Sequence, residues 1–409
     1  MLNNLLSSSL LLAASIGSVW SAPSPHPGKW GNPHPKGARA IYFITNDASN
    51  SVAAVPVAAN GMLSQGSLTP TGGEGSNSVT ADNEPAAPDA LISQSALTIA
   101  GNNIFAVNAG SNTLSMLSID SRDPTKLTVV GAPVSLPGQF PNTVAASARN
   151  RLVCVGTTGE VNGVSCSSFS RQGLGAMDSL RSFDLVQTTP PVGPTNTVSQ
   201  VFFSEDESRL FTTVKGDPPN NNTGFFSVFP VQGGNWHMRA SLSMTDTRSS
   251  PAGTAVLFGS EVIRGTSNVF VTDASFGAAV VSVDPASGTA STVAKQAVDG
   301  QAATCWAAIS PKTGTAFVAD VGVNRLVEMS LTDASIISTL DLSANGDPGL
   351  IDLKAAGNFI YALSPGNGTT PAAVTVVDVS GGPGSAKQVQ HFQLDSMGVD
   401  KNAQGMAVF

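Results

Sequence analysis

The sequence is poor in charged and aromatic residues. Of its 409 residues, 12% are charged and 6% are aromatic, with only two Tyr and four His. Acidic residues (28) outnumber Lys and Arg (20), and the net charge of −8 argues against nucleic acid or an anionic membrane as a default partner. After the signal-like N-terminus no apolar run approaches the ~20 residues that span a bilayer. Abundant Gly (41) and Pro (26) disfavour long helices, while 41% hydrophobic residues exclude global disorder.

The N-terminus has the layout of a secretory signal peptide. An apolar stretch runs through Leu12 to Ile16, and small residues precede a predicted cleavage after Ser21. A signal anchor is the alternative, although the apolar run is short for a membrane span. We therefore expect a signal peptide over residues 1–21, a disordered proline-rich linker over 22–38, and one folded domain over 39–409 of a protein that is secreted or held in a cell wall.

Glycosylation and cysteine usage agree with export. Asn221 and Asn367 begin Asn-x-Thr sequons flanked by Pro and Gly, so we predict N-glycosylation at both, with chance sequons as the alternative. Cys154 and Cys166 lie in two β-rich stretches joined by a polar loop, where antiparallel pairing would place them opposite each other. The sequence predicts a disulfide between them, and two free core thiols are the alternative.

One pattern recurs along the chain: an apolar strand, a turn, and a strongly β-rich anchor strand, followed by further strands. Seven anchors recur at intervals of 43 to 63 residues, a period that suits a four-stranded propeller blade. They begin at Ile41, Ile104, Leu152, Leu210, Val269, Ala316 and Phe359.

The two ends of the chain predict how the ring closes. No inner strand precedes Ile41, and no further strand follows the C-terminal stretch from Gly405 to Phe409. The last strand therefore fits as the inner strand of the first blade, which leaves no open sheet edge. We predict an all-β, seven-bladed β-propeller of four-stranded blades closed by this C-terminal strand; an array of β-sandwiches is the alternative.

Turns after three anchors carry a family resemblance. They start at Thr45-Asn46-Asp47, Val107-Asn108-Ala109 and Ala319-Asp320-Val321. The chain resembles the seven-bladed lactonase family of bacterial 6-phosphogluconolactonase and fungal carboxymuconate cycloisomerase. It is more similar to the secreted fungal proteins termed 3-carboxymuconate cyclase-like, some of which are cell-wall glycoprotein antigens or adhesins. Such repeats specify a fold better than a reaction.

In a propeller of this topology, the loops after the anchors and before the inner strands share one face around the central channel. Any small-molecule site should lie there. The candidate ligand-binding residues are Asn46, Asn108, Lys215, Asp217, Arg248, Asp273 and Asp320. Oxygen ligands from Asp47, Asp217, Asp273 and Asp320 could hold Ca²⁺, but a role in fixing tight turns fits them better. We assign no metal or cofactor.

The sequence identifies no catalytic residue. His26 and His34 fall in the linker, while His237 and His391 map to outer strands or the opposite face, so the His, Arg and Glu set implied by the cycloisomerase resemblance has no counterpart. Cys305 is a lone thiol next to Trp306, and we expect it to be a buried, inert residue rather than a nucleophile.

Two functions remain open from the sequence. The first is an extracellular or cell-wall glycoprotein that acts as a binding, adhesion or antigenic protein, with a host or cell-wall protein or glycan, or a neutral small molecule, as partner. The alternative is an extracellular lactonase or carboxymuconate cyclase-like enzyme. The excess of acidic residues favours neutral ligands over the polyanions of the two family reactions. We expect a monomer without a membrane span.

Overall fold

Seven antiparallel sheets, arranged around a central channel, form a seven-bladed β-propeller. The computed structural model describes residues 37–234 and 239–409. The predicted signal peptide, nearly all of the predicted linker, and His237 lie outside the described residues. The described chain contains 31 β-strands and three short 3-10 helices, at Pro218–Asn220, Ser343–Asn345 and Asp395–Met397. None of its helices is long and apolar enough to cross a membrane.

Each blade starts at the channel with an inner strand and continues outward in chain order. The first three blades are β31 (Gln404–Val408), β1 (Ala40–Ile44), β2 (Ser51–Pro56), β3 (Ser67–Pro70); β4 (Leu97–Ala100), β5 (Asn103–Asn108), β6 (Thr113–Ile119), β7 (Leu127–Val129), β8 (Val134–Ser135); and β9 (Pro141–Ser147), β10 (Leu152–Thr158), β11 (Asn162–Ser170), β12 (Gly173–Leu174), β13 (Arg181–Ser182). Blades 4 and 5 are β14 (Val198–Phe203), β15 (Arg209–Val214), β16 (Phe225–Gln232), β17 (Ser241–Leu242), β18 (Thr247–Ser249); and β19 (Leu257–Val262), β20 (Asn268–Asp273), β21 (Gly277–Val283), β22 (Ala290–Ala297). Blades 6 and 7 are β23 (Thr304–Ser310), β24 (Thr315–Asp320), β25 (Arg325–Met329), β26 (Ile336–Asp341); and β27 (Ile351–Ala356), β28 (Phe359–Ser364), β29 (Ala373–Asp378), β30 (Lys387–Gln393).

Burial explains why the second strand of each blade could be predicted from the sequence. All seven predicted anchors are these second strands, and β24 is buried at every position because neighbouring blades cover both of its faces. A strand covered on both faces reads as a continuous apolar run. The outer strand β22 instead alternates buried or half-buried with exposed residues, and the equivalent strands of blades 1 to 4 are short.

The ring closes as predicted. Strand β31 pairs antiparallel with β1, with Ile41 opposite Val408, and so completes the first blade from the C-terminal end of the chain. The structure also joins Cys154 to Cys166 by a disulfide, between directly opposite residues of β10 and β11, and leaves Cys305 as a buried free thiol. We call the face where the second strands end the front face, and the face where the inner strands end the back face.

Candidate functional site in the central channel

Two of the predicted front-face carboxylates hold turns together. Asp273 ends β20 and accepts hydrogen bonds from the backbone N–H groups of Ala255 (2.7 Å) and Val256 (3.1 Å). Asp320 ends β24 in the same way and accepts from the N–H of Ala302 at 2.8 Å. Both side chains are buried, and each ties the end of a second strand to the segment that leads into its inner strand.

The two predicted amides are also engaged within the protein. Asn108 donates from Nδ2 to Ser115 Oγ (2.8 Å) and accepts at Oδ1 from Nδ2 of Asn50 (2.9 Å). Asn46 donates from Nδ2 to the carbonyl oxygen of Ser76 at 2.9 Å. Both are buried, so their hydrogen-bonding groups stabilise the first two blades.

Arg248 lies away from the channel rim on which the sequence had placed it. It belongs to the outer strand β18, pairs with Asp246 (Nε to Oδ2, 2.9 Å), and its guanidinium lies 4.9 Å from the ring centroid of Phe225. Asp217 is half-buried on the front face, where its carboxylate accepts from Nδ2 of Asn220 at 2.6 Å.

The four aspartates considered as Ca²⁺ ligands do not come together. Asp273 and Asp320 end the second strands of their blades, and Asp47 and Asp217 follow those of two other blades, so the four lie in four different blades. In the described part of the chain, no three or more His, Cys, Asp or Glu residues group in a way that could hold a metal ion.

The front half of the channel is filled by the chain itself. Residues 89–95, which we call the channel segment, precede β4, and all but the half-buried Ser95 are buried. Strand β4 has four residues, whereas the other inner strands have five to seven, because the chain passes through the channel before it joins blade 2.

Hydrogen bonds fix the channel segment to blades on the far side of the channel. The side-chain amide of Gln94 donates from Nε2 to the carbonyl of Ala307 (2.9 Å) and accepts at Oε1 from the N–H of Ala307 (3.0 Å). The indole N–H of Trp306 donates to the carbonyl of Ser93 at 3.0 Å. A Cβ at Gly259 would lie 2.1 Å from Gln94 Oε1, so glycine is required there. The channel segment therefore plugs the front mouth of the channel, where the sequence predicted a ligand site.

Irregularities in the inner strands turn side chains toward the plug. The pairing register shifts at Ser199 in β14, at Cys305 in β23 and at Asp352 in β27. Such β-bulges re-aim a side chain and are frequent near functional sites. Asp352 is the clearest case: its φ is +43°, and its Oδ2 accepts a hydrogen bond from the N–H of Ser95 at 3.2 Å.

Lys215 is the predicted site residue that does reach the channel, but it is sealed in. Its ammonium donates to the carbonyl of Ile92 (2.7 Å) and lies 4.4 Å from the ring centroid of Phe258. Burial lowers the pKa of Lys215, and the negative charge of Asp89 opposes this shift. Burial likewise raises the pKa of Asp89, against the opposing charge of Lys215. Lys215 ties the plug to blade 4 through the carbonyl of Ile92, and both charged groups are buried and closed to ligands.

Cys305 lies in the same sealed region. Burial is the main cause that raises the pKa of its thiol well above the usual value, and Asp89 adds to the effect. A thiol that stays protonated is a poor nucleophile, which agrees with the inert role expected from the sequence.

The back half of the channel is open. A polar cavity of about 650 Å³ is bordered by inner strands and their following turns from five blades, and it holds Ser95, Gln200, Ser260, Glu261 and Lys354. The side chain of Gln200 accepts from the N–H of Ser260 (2.6 Å) and donates to its carbonyl (3.1 Å), as Gln94 does at Ala307. Within the described residues Ser260 Oγ has no hydrogen-bond partner.

An ion pair crosses this cavity between blades 5 and 7. Lys354 Nζ lies 2.5 Å from Glu261 Oε1, with 21% and 31% of the two side chains exposed. Burial lowers the pKa of Lys354, but the negative charges of Glu261 and Asp352 outweigh this effect, so that the pKa of the lysine is raised. Burial raises the pKa of Asp352 to about 6, although Lys354 opposes this. The cavity thus presents a firmly protonated lysine between two carboxyl groups.

The sequence did not predict Glu261, Asp352 or Lys354 as site residues. The predicted site lies in the front-face loops, whereas Glu261 and Lys354 lie within inner strands near the back face. One signal was present: apart from Glu261, Asp352 and Lys354 are the only charged residues within the inner strands that the structure describes.

Comparisons with known proteins agree with this fold. No protein-family model and no curated protein matches the sequence. Among solved structures, the chain is similar to two Bacteroides proteins provisionally assigned as 6-phosphogluconolactonases. The one from Bacteroides uniformis is 13% identical, with a TM-score of 0.53 over 70% of this chain and 80% of that one. The one from Bacteroides fragilis is 9% identical, with a TM-score of 0.55 over 91% and 98%. A protein of unknown function from Desulfotomaculum acetoxidans is 11% identical, with a TM-score of 0.57 over 91% and 99%. Fold and likeness thus define the class of the protein as a seven-bladed β-propeller.

Proposed function

We propose that the protein hydrolyses a small, neutral, polyhydroxylated lactone in the back-face cavity. The observation that carries this proposal is the pair of Glu261 and Lys354 in an open polar cavity of about 650 Å³. That volume lies within the range of small-molecule sites, roughly 300–1,000 Å³. The lactonase-like fold of the neighbouring structures agrees with it, and this reverses the preference for a pure binding protein that the sequence suggested.

The chemistry requires a base and a stabiliser of negative charge. Glu261 would take a proton from a water molecule as its oxygen adds to the lactone carbonyl. Lys354 would donate to the carbonyl oxygen as charge develops there. An ammonium has three donors, and within the described residues Lys354 uses one of them, toward Glu261. The proton held by Glu261 then passes to the ring oxygen as the ester bond breaks, which yields the hydroxy acid.

Charge selects the substrate class. Glu205, Glu207 and Glu261 line the cavity with Asp352 behind it, whereas Lys354 and Arg264 are its cations. A phosphorylated or multiply carboxylated lactone would meet an excess of negative charge, and like-charge contacts cost several kcal/mol. The hydroxyl of the half-buried Ser95, which lines the cavity, suits the hydroxyls of a neutral sugar lactone.

A pH-stat assay with neutral aldonolactones, 6-phosphogluconolactone and carboxymuconolactone tests the proposal. Glu261→Gln should lower kcat/KM for a neutral lactone by about 100-fold or more, the usual contribution of a general base. Glu205→Gln, a matched change on the cavity rim, should alter it by less than about threefold. Absence of hydrolysis above the water rate in folded protein, or equal losses in both variants, would refute it.

We further propose that the protein is secreted and N-glycosylated. The disulfide supports an oxidising compartment, and both predicted acceptors are exposed, Asn221 between β15 and β16 and Asn367 between β28 and β29. Mass spectrometry of the secreted protein with and without glycosidase should locate glycans at these two residues. An unmodified protein retained in the cell would contradict it.

A further inference from the structure

Four arginines cluster on the back face, outside the channel mouth, in a protein whose net charge is −8. They line two adjoining cavities of about 650 and 450 Å³ that share Arg151, Phe169, Ser170 and Gln172. We call this surface the arginine groove; its cations are Arg149, Arg151, Arg171 and Arg239.

No carboxylate that the structure describes neutralises the charges of the groove. Among the described residues, neither cavity is lined by an acidic residue, and no carboxylate lies within 4.0 Å of any of the four guanidinium groups. Arg149 donates to the backbone carbonyl of Asp206 at 2.9 Å. This neutral acceptor holds the guanidinium in place and leaves its positive charge available to a ligand. Arg151 and Arg171 donate no hydrogen bond to any residue that the structure describes, and both are exposed.

Arg151 occupies a position that costs stability. It lies in the turn between the first two strands of blade 3, with a φ of +51°. The corresponding turns of blades 2, 5, 6 and 7 place glycine at a positive φ: Gly101, Gly265, Gly314 and Gly357. A non-glycine residue in the left-handed region is strained, and such strain often accompanies function. Two blades thus carry a charged residue at this turn in spite of the strain, Arg151 in blade 3 and Glu207, with a φ of +55°, in blade 4.

We propose that the arginine groove binds an anionic oligosaccharide that bears sulfate or carboxylate groups. Guanidinium groups match such oxyanions with paired hydrogen bonds. The remaining lining is mainly hydroxyl, amide and backbone, including Asn103, Ser168 and Gln172, which suits the hydroxyls of a sugar chain. An acidic peptide would require apolar anchor pockets, and among the described residues the large apolar side chains of the groove are Phe169, which is 9% exposed, and Leu174.

The groove is separate from the lactone cavity, so each proposal can fail without the other. The cavity is bordered by Gln200, Glu261 and Lys354 in the channel, and the groove by the turns of blades 2 and 3 and by residues after β16. No groove arginine lines the lactone cavity.

The test measures calorimetric binding of a heparin-derived octasaccharide, with neutral maltooctaose and a polyglutamate of equal charge as comparison ligands. The sulfated octasaccharide should bind with an affinity that falls as salt rises, and maltooctaose should not bind. Arg151→Gly combined with Arg171→Gln should weaken binding at least tenfold. The control, Arg122→Gln with Lys312→Gln, removes the same charge at exposed positions elsewhere and should change it less than threefold.

Arg151→Gly alone separates binding from folding. Glycine suits the positive φ, so this variant should be at least as stable to heat as the parent while it binds the octasaccharide more weakly. Unchanged affinity in the groove variants, equal losses in the control, or equally tight binding of polyglutamate would each overturn the proposal.

Discussion

The channel segment offers a direct test of how the front half of the channel is closed. In Gln94→Ala, the N–H and C=O of Ala307 lose their partners in a buried environment. A buried polar group left without a hydrogen bond costs about 1–3 kcal/mol. With two such groups, we expect the free energy of unfolding to fall by about 2–6 kcal/mol, and the cavity that the lost side chain leaves adds to this loss.

Two further variants separate these contributions. Gln94→Met keeps most of the side-chain volume but removes both hydrogen bonds, so it should retain most of the loss. Gln388→Ala removes an exposed glutamine from the outer strand β30 and should change stability by less than about 0.5 kcal/mol.

Urea unfolding followed by circular dichroism measures all three variants. The transition midpoint should fall for the Gln94 variants while the slope stays the same, because the surface exposed on unfolding is unchanged. If Gln94→Ala unfolds within about 0.5 kcal/mol of the parent, the segment does not fix the channel as described, and the front mouth regains its place as a candidate ligand site.

Three other outcomes follow from the structure. Deletion of the last six residues removes β31 and exposes the edge of β1, so the yield of folded protein should collapse; a normal yield and melting temperature would contradict the closure. Replacement of Cys154 and Cys166 by Ala should cost up to about 3 kcal/mol in urea unfolding while Cys305 stays unreactive toward thiol reagents, and a rapidly labelled Cys305 in folded protein would show that it is not sealed. The folded pKa of Asp352, about 6, exceeds its unfolded value, so the folded state binds the proton more tightly. Stability from this group is therefore present at pH 4 and lost, by about 2–3 kcal/mol, as pH rises through 6; Asp352→Asn should flatten that part of the melting-temperature profile, and an unchanged profile would refute it.

The sequence was sufficient for the architecture because the second strand of each blade is covered on both faces. Stretches such as Ile104 to Val107 read as uninterrupted apolar runs, and seven of them at a regular spacing leave few folds. Closure was also readable, since each chain end lacked the partner that the other end supplies. The disulfide followed from two cysteines in facing strands.

The site was not readable because long-range contacts and bulges create it. Gln94 looks like an ordinary loop residue, and its partner Ala307 lies 213 positions away. The register shifts at Ser199, Cys305 and Asp352 leave no mark in the sequence, yet they decide which side chains turn toward the channel. Lys215 is an example. The sequence placed it at the channel rim as a ligand-binding residue, whereas in the structure its ammonium is buried and donates to the carbonyl of Ile92.

The two faces of the propeller divide the proposed roles. The plug closes the channel from the front, and both predicted glycosylation sites, Asn221 and Asn367, lie in connections that follow second strands and therefore also on the front. The lactone cavity and the arginine groove both open on the back face. Sugar chains attached at the front would leave the back face uncovered. If the oligosaccharide bound in the arginine groove is part of a longer polymer, the groove would hold the mouth of the lactone cavity close to that polymer.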